Sequence, residues 1–215
     1  MLRAISPHEG SAVAKTVYYG AASLDGYLAD ADDNLDWLLN YEGTFDHEGA
    51  EPDPMSEGGG YERFYDGVRA LVMGSVTYEW ILEHLDVAGG EGQWPYRGKP
   101  CWVLSSRELR RPEGDEADVR IVDAPVSELY GEMASAAGDG VLWLVGGGNV
   151  ASQFADAGLI DEVMLTIVPV VLGAGKPVFD RPPSGSFELL GTRASSNGMV
   201  ELHYRLTRGE RGRRP

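Results

Sequence analysis

Two hydrophobic patterns divide this chain. Short runs of apolar, β-branched residues mark strands, and apolar positions three or four apart mark helices. Residues 16–22 (TVYYGAA) are strand-like. Ser23, Asp25 and Gly26 then supply turn chemistry, with Asp25 read as a turn-former rather than a catalyst, and 27–29 resume an extended segment. Tyr61, Phe64, Tyr65 and Val68 fall at i, i+3, i+4 and i+7, the spacing of one helix face. Residues 70–73 predict a buried strand that ends at Gly74, and VTYEWILEHL predicts the next helix, with Ser75 or Thr77 as its cap. Strands are expected at 99–104 and 119–122, and a helix over 125–137.

The chain is organised around 141–172 (VLWLVGGGNVASQFADAGLIDEVMLTIVPVVL). Residues 141–145 are continuously apolar, as in a strand buried on both faces. Gly146, Gly147 and Gly148 follow, with Asn149 placed to cap a helix through Val150, Phe154 and Ala157 that Gly158 ends. VMLTIVPVV is the next strand, 173–177 a loop, and 187–192 and 199–206 two antiparallel strands joined at Asn197-Gly198. Strands alternating with helices, then a terminal hairpin, predict a single α/β domain over 15–207 with a mostly parallel sheet. Residues 1–14 read as a lead-in, 43–60 as a long surface loop and 208–215 as a basic tail.

Composition narrows the function. The length, 215 residues, suits one domain with a real core. The single cysteine, Cys101, excludes an internal disulfide, and the apolar run it begins (CWVL) makes it a buried thiol. Four scattered histidines make no metal-binding pattern. A net charge of −16 argues against nucleic acid and against an anionic membrane surface. With no bilayer-length apolar run and no signal-peptide core, the expected location is the cytoplasm.

The candidate chemistry lies at the strand ends. Three consecutive glycines remove every side chain from the turn at 146–148, and the helix behind them presents free N–H groups. That turn can hold a phosphate-bearing ligand or merely pack helix on strand, and the spacing is not G-x-G-x-x-G. Gly74 makes a second such junction. Ser105, Ser106 and Arg107 end a third strand with two hydroxyls and a guanidinium.

LVGGGNVASQF followed by LIDEVMLTIVPVVLGAGKPVF resembles the C-terminal half of the dihydrofolate-reductase-like reductases, in their riboflavin-type (bifunctional deaminase–reductase C-terminal) branch. AASLDGYLA, MGSVTYE and LSSR match in the same order. The resemblance implies a dihydrofolate-reductase-like fold, an NADPH cofactor across the carboxyl ends of the central strands, and hydride transfer to a pyrimidine or pteridine such as 5-amino-6-(5-phosphoribosylamino)uracil or dihydrofolate. It puts Ala21 and Leu28 beside the nicotinamide. Gly74, Ser75, Thr77, Leu104, Ser105, Ser106 and Arg107 take the phosphates and adenosine, and Val145, Gly146, Gly147, Gly148, Asn149 and Val150 the central glycine site. It implies a cis peptide at Gly146–Gly147, and Trp37, Phe64 and Thr166 as substrate contacts. Ser75 stands where the family carries an arginine, which leaves Arg107 as the expected partner of the adenosine 2′-phosphate. Gly146 stands where riboflavin-type reductases carry a glutamate. No catalytic acid aligns, although Asp36, Glu51, Asp53 and Glu62 are near the expected place. Two other readings stay open: reduction of another small metabolite or natural-product intermediate, and a nucleotide-binding protein without catalysis. A homodimer is expected.

Overall fold

The structure, a computed structural model, describes residues 14–41, 60–87, 94–112 and 117–207. The expected lead-in before Ala14, the loop over 43–59 and the basic tail lie outside the described residues. The elements run β1 (Lys15–Ser23), β2 (Tyr27–Ala29), α1 (Asp36–Leu39), α2 (Gly60–Gly67), β3 (Val68–Gly74), α3 (Ser75–Val87), β4 (Cys101–Leu104) and β5 (Val119–Val122). They continue with α4 (Val126–Ala137), β6 (Val141–Gly146), α5 (Gly148–Asp156), β7 (Glu162–Val168), β8 (Lys176–Pro177), β9 (Ser186–Ala194) and β10 (Val200–Thr207).

Eight strands form one sheet in the order β5-β4-β3-β6-β1-β7-β10-β9. The six from β5 to β7 are parallel, and β10 and β9 close the sheet antiparallel. This is the expected mixed α/β fold with a terminal hairpin. Successive strand residues point to opposite faces, and each face has its own core. Tyr18, Ala22, Val72 and Leu144 pack against Met133 of α4 and Phe154 of α5. Tyr19, Leu71, Met73 and Trp143 face Phe64 of α2 and Tyr78 of α3. Cys101 is fully buried, and burial pushes its thiol well above the usual range, so it stays an inert packing group.

Local chemistry explains where the elements end. Gly158 follows α5 with φ +66, and Leu159 N–H donates to the Phe154 carbonyl at 2.8 Å, closing the helix as its glycine predicts. The hairpin expected at Asn197-Gly198 is present, joining β9 to β10 through a turn over 195–199. Ser195 N–H donates to the Met199 carbonyl, Gly198 takes φ +88, and Asn197 Oδ1 accepts from the Met199 N–H. Two expectations need correcting. The loop expected over 173–177 contains β8, which pairs with β2 as a small separate ribbon, Tyr27 opposite Pro177. Residue 68 starts β3 rather than finishing a helix, because α2 ends at Gly67.

Candidate functional site

Two strand–glycine–helix junctions lie side by side at the carboxyl edge of the sheet. β3 and β6 are parallel neighbours, and a register shift after Val72 sets Met73 opposite Gly146. α3 and α5 therefore begin next to each other. A Cβ on Gly74 would come within 3.3 Å of Val150 Cγ2, and one on Gly146 within 3.4 Å of Thr77 Oγ1. On Gly147 it would meet both side chains at 3.9 Å. Gly74, Thr77, Gly146, Gly147 and Val150, expected in one site from separate stretches of sequence, are thus brought together.

The turn is made differently from the expectation. No cis peptide occurs among the described residues, so the expected cis Gly146–Gly147 bond is corrected to trans. Gly147 makes the bend instead, at φ 91 and ψ 109, a conformation that a side chain disfavours. Gly147 is also the residue before α5, with no side-chain cap, so Asn149 is not the cap. It sits inside the helix, where its Nδ2 donates to Asp180 Oδ2 at 3.1 Å and its Oδ1 accepts from Gln153 Nε2. Gly148 is buried, and a Cβ there would collide with the Pro177 carbonyl and Asp180, so its missing side chain serves packing. α3 begins at Ser75 itself, so Ser75 and Thr77 lie in its first turn rather than capping it from outside.

On one side of these junctions is the end of β4. Leu104 pairs with Gly74, and Ser105 N–H donates to the Val122 carbonyl. Ser105 Oγ then accepts from the Arg107 N–H at 2.9 Å, which turns the chain so that Ser106 and Arg107 are exposed. The exposed Arg107 guanidinium has a carboxylate partner. It forks onto Glu79 of α3, with Nη1 to Oε1 at 3.2 Å and Nη2 to Oε2 at 2.6 Å.

On the other side a polar row crosses four strands. Ala21 of β1 lies opposite Thr166 of β7, Thr166 opposite Glu201 of β10, and Glu201 opposite Arg193 of β9. Directly paired residues share a face. Glu201 and Arg193 do not close into an ion pair with each other, and neither is in an ion pair among the described residues. Two positions from Ala21 and on the same face, Tyr19 has its phenol near the Thr166 side chain. Its ring stacks on Phe64 with centroids 4.5 Å apart and lies 6.2 Å from Tyr61, while its carbonyl accepts from Trp143 Nε1. Burial, and then the nearby Glu201 charge, push the Tyr19 phenol up to about 12, so it keeps its proton at neutral pH. Tyr19, Glu201 and Arg193 were not singled out from sequence. The alternation of Tyr19 with Ala21 was visible there, but the pairing of β10 with β7 was not.

The remaining expected residues divide. Phe64 and Thr166 join the row. Trp37 lies on α1, half-buried, with an indole N–H that has no hydrogen-bond partner among the described residues. Leu28 packs against the core on the α4–α5 face. Val145 packs beside Trp143 on the α2–α3 face. Asp36 is exposed and accepts from Asn34 Nδ2, Glu62 is exposed on α2, and Glu51 and Asp53 lie outside the described residues. Asp25 is a turn-former, as expected: its carboxylate accepts from Ser23 Oγ and from the N–H groups of Leu172 and Gly173. A cavity of about 630 Å³ opens at the opposite edge of the sheet, lined by Lys15, Tyr130, Asp161, Glu162 and Arg205, and holds none of the expected residues.

Known proteins share this architecture. The model of the RibD C-terminal domain matches residues 91–201. The YwjB protein of Bacillus subtilis (strain 168) is 30% identical over 192 residues, 88% of this chain and 97% of that protein. A Shewanella sp. PV-4 protein described as a riboflavin biosynthesis protein superposes with a TM-score of 0.71 at 27% identity, over 90% of this chain and 99% of its own. Dihydrofolate reductase from Enterococcus faecalis, solved with NADP(H), shares the fold with a TM-score of 0.56 at 17% identity, over 89% of this chain and 96% of its own.

Proposed function

This chain belongs to the RibD C-terminal domain family, and on that footing we propose that it is an NADPH-dependent reductase of a small nitrogen heterocycle of the pyrimidine or pteridine type. The observation that carries the reading is the pair of abutting glycine junctions. Side chains are missing at Gly74, where a Cβ would crowd Val150, and at Gly146 and Gly147, where one would touch Thr77, and two helix starts face the same edge. Such an edge of an open α/β sheet suits a dinucleotide, whose pyrophosphate accepts hydrogen bonds from backbone N–H groups. When bound, the nicotinamide supplies the hydride.

The chain's own residues do the rest. Gly146 and Gly147 allow close approach of the cofactor, and Thr77 packs beside them. Ala21 leaves room at the end of β1 for the nicotinamide side. Phe64 and Tyr61 form an aromatic wall against which a flat ring can stack. The Tyr19 hydroxyl, held protonated, donates a hydrogen bond to the acceptor, with Thr166 beside it. Glu201 and Arg193 read polar groups farther along the ring.

Fluorescence titration with NADPH tests the binding half. A steady-state assay with 5-amino-6-(5-phosphoribosylamino)uracil and dihydrofolate tests the chemistry. Tyr19→Phe is expected to lower kcat about tenfold to a hundredfold while NADPH affinity holds. A variant with unchanged kcat removes Tyr19 from the mechanism, and absence of NADPH binding to the unaltered protein sinks the whole reading. Nucleotide binding without turnover is the second reading, favoured by the exposed positions of Asp36 and Glu62. A protein that binds NADPH but reduces no member of a broad heterocycle panel supports it.

A further inference from the structure

We propose that Glu79 sets the cofactor preference of this protein by holding Arg107 away from a 2′-phosphate. The inference rests on the cofactor reading above and concerns its adenosine end. Three placements carry it. Gly74 and Leu104 are paired neighbours, so the start of α3 and the turn after β4 flank one another. Glu79 lies about one turn along α3 from Ser75. Arg107, the cation nearest in sequence to the Ser105 turn, meets Glu79 through both of its terminal nitrogens, at 3.2 and 2.6 Å.

A guanidinium binds phosphate through the same two-point fork that it uses for carboxylate, so Glu79 and a 2′-phosphate compete for one donor set. Ser75 brings a hydroxyl and no charge to that place. The side chains of Arg107 and Glu79 are 56% and 39% exposed, so water and salt weaken the pair and leave it able to open. A 2′-phosphate must open it and then sits close to the displaced carboxylate. An unphosphorylated ribose need not, and its hydroxyl can donate to Glu79. The site therefore takes NADPH with only a narrow margin over NADH, and Glu79 determines that margin.

The test is fluorescence titration of the full chain with NADPH and NADH, for the unaltered protein, Glu79→Gln, Arg107→Ala and the double variant, with thermal melts to confirm folding. Glu79→Gln is expected to tighten NADPH by about five- to twentyfold and to leave NADH unchanged or weaker. The gain should vanish when Arg107 is also alanine. An unchanged ratio of the two affinities in Glu79→Gln overturns the inference, and so does an equal gain in the Arg107→Ala background. If the unaltered chain binds neither cofactor, the functional reading fails and takes this inference with it. If it binds both and Glu79→Gln changes nothing, the inference alone fails.

Discussion

At the scale of single residues, neighbouring glycines and a lone arginine behave differently from what their letters suggest. Gly147 holds φ 91 and ψ 109, so Gly147→Ala should cost about 1–3 kcal/mol of stability and weaken NADPH binding, measured by urea unfolding and by titration. Gly148 has no unusual φ, yet its Cβ would strike the Pro177 carbonyl. Gly148→Ala should therefore destabilise through the β8 segment whether or not a ligand is present. Sequence could mark the triplet as special but could not say which glycine bends, which leaves space and which packs. Arg107→Ala should weaken NADPH about tenfold and leave NADH almost unchanged. Equal losses for both cofactors would make the residue structural. That arginine was legible as a phosphate partner, whereas its fork onto Glu79, 28 residues away, was not.

At the scale of elements, carboxylates fasten segments that propensity alone would leave loose. Asp25 sits between β1 and β2, and the Ser23 hydroxyl, then the Gly173 and Leu172 N–H groups, hold its carboxyl below the usual range. Asp25→Ala should loosen the chain from 172 to the β2–β8 ribbon, seen as faster amide exchange at Leu172 and Gly173. At the start of β7, Glu162 is only 8% exposed and accepts from Lys15 at 2.9 Å and His203 at 2.8 Å. Burial raises its carboxyl, but the hydrogen bonds and charges of Lys15 and His203 prevail, and the group titrates below the usual glutamate range. A depressed carboxyl stabilises the fold at pH values above its unfolded pKa, and that stabilisation is lost as pH falls through the lower folded value. Glu162→Gln should therefore cost roughly 1.5–3 kcal/mol at pH 7, and its unfolding free energy should converge with that of the unaltered protein below the usual glutamate range.

For the whole molecule, the terminal hairpin is the open question that the fold itself raises. β9 is the sheet's outer strand, and Phe187, Leu189 and Leu190 along it are exposed, Leu189 by 54%. Phe187 also meets Phe179 and Tyr204 at ring centroids 6.3 and 6.0 Å apart, which extends the apolar surface onto β10. A long outer strand with apolar side chains invites pairing, and a second copy of the chain is the proposed cover. Light scattering should give twice 23.3 kDa, and Leu189→Lys should return the mass to 23.3 kDa. A monomer at every concentration tested would refute the dimer. Among the described residues no helix is long and apolar enough to cross a membrane.

The sequence by itself determined the order of strands and helices apart from α1 and β8, the placement of the glycine junctions and the burial of Cys101. These depend on local periodicity, on backbone freedom at glycine and on short apolar runs. It also carried the reductase family resemblance, because the motifs that carry it are contiguous. Tertiary structure alone decided which residues meet across the sheet. The register of β7 with β10, and of β10 with β9, set Thr166, Glu201 and Arg193 in one row, although neither β9 nor β10 is next to β7 in sequence order. The pairing of β3 with β4 brought Glu79 to Arg107 and changed the meaning of that arginine. The same limit explains the mistaken peptide at Gly146–Gly147. A turn's geometry depends on what packs against it, and here Thr77 of α3, from a distant stretch of the chain, lies against Gly146 and Gly147.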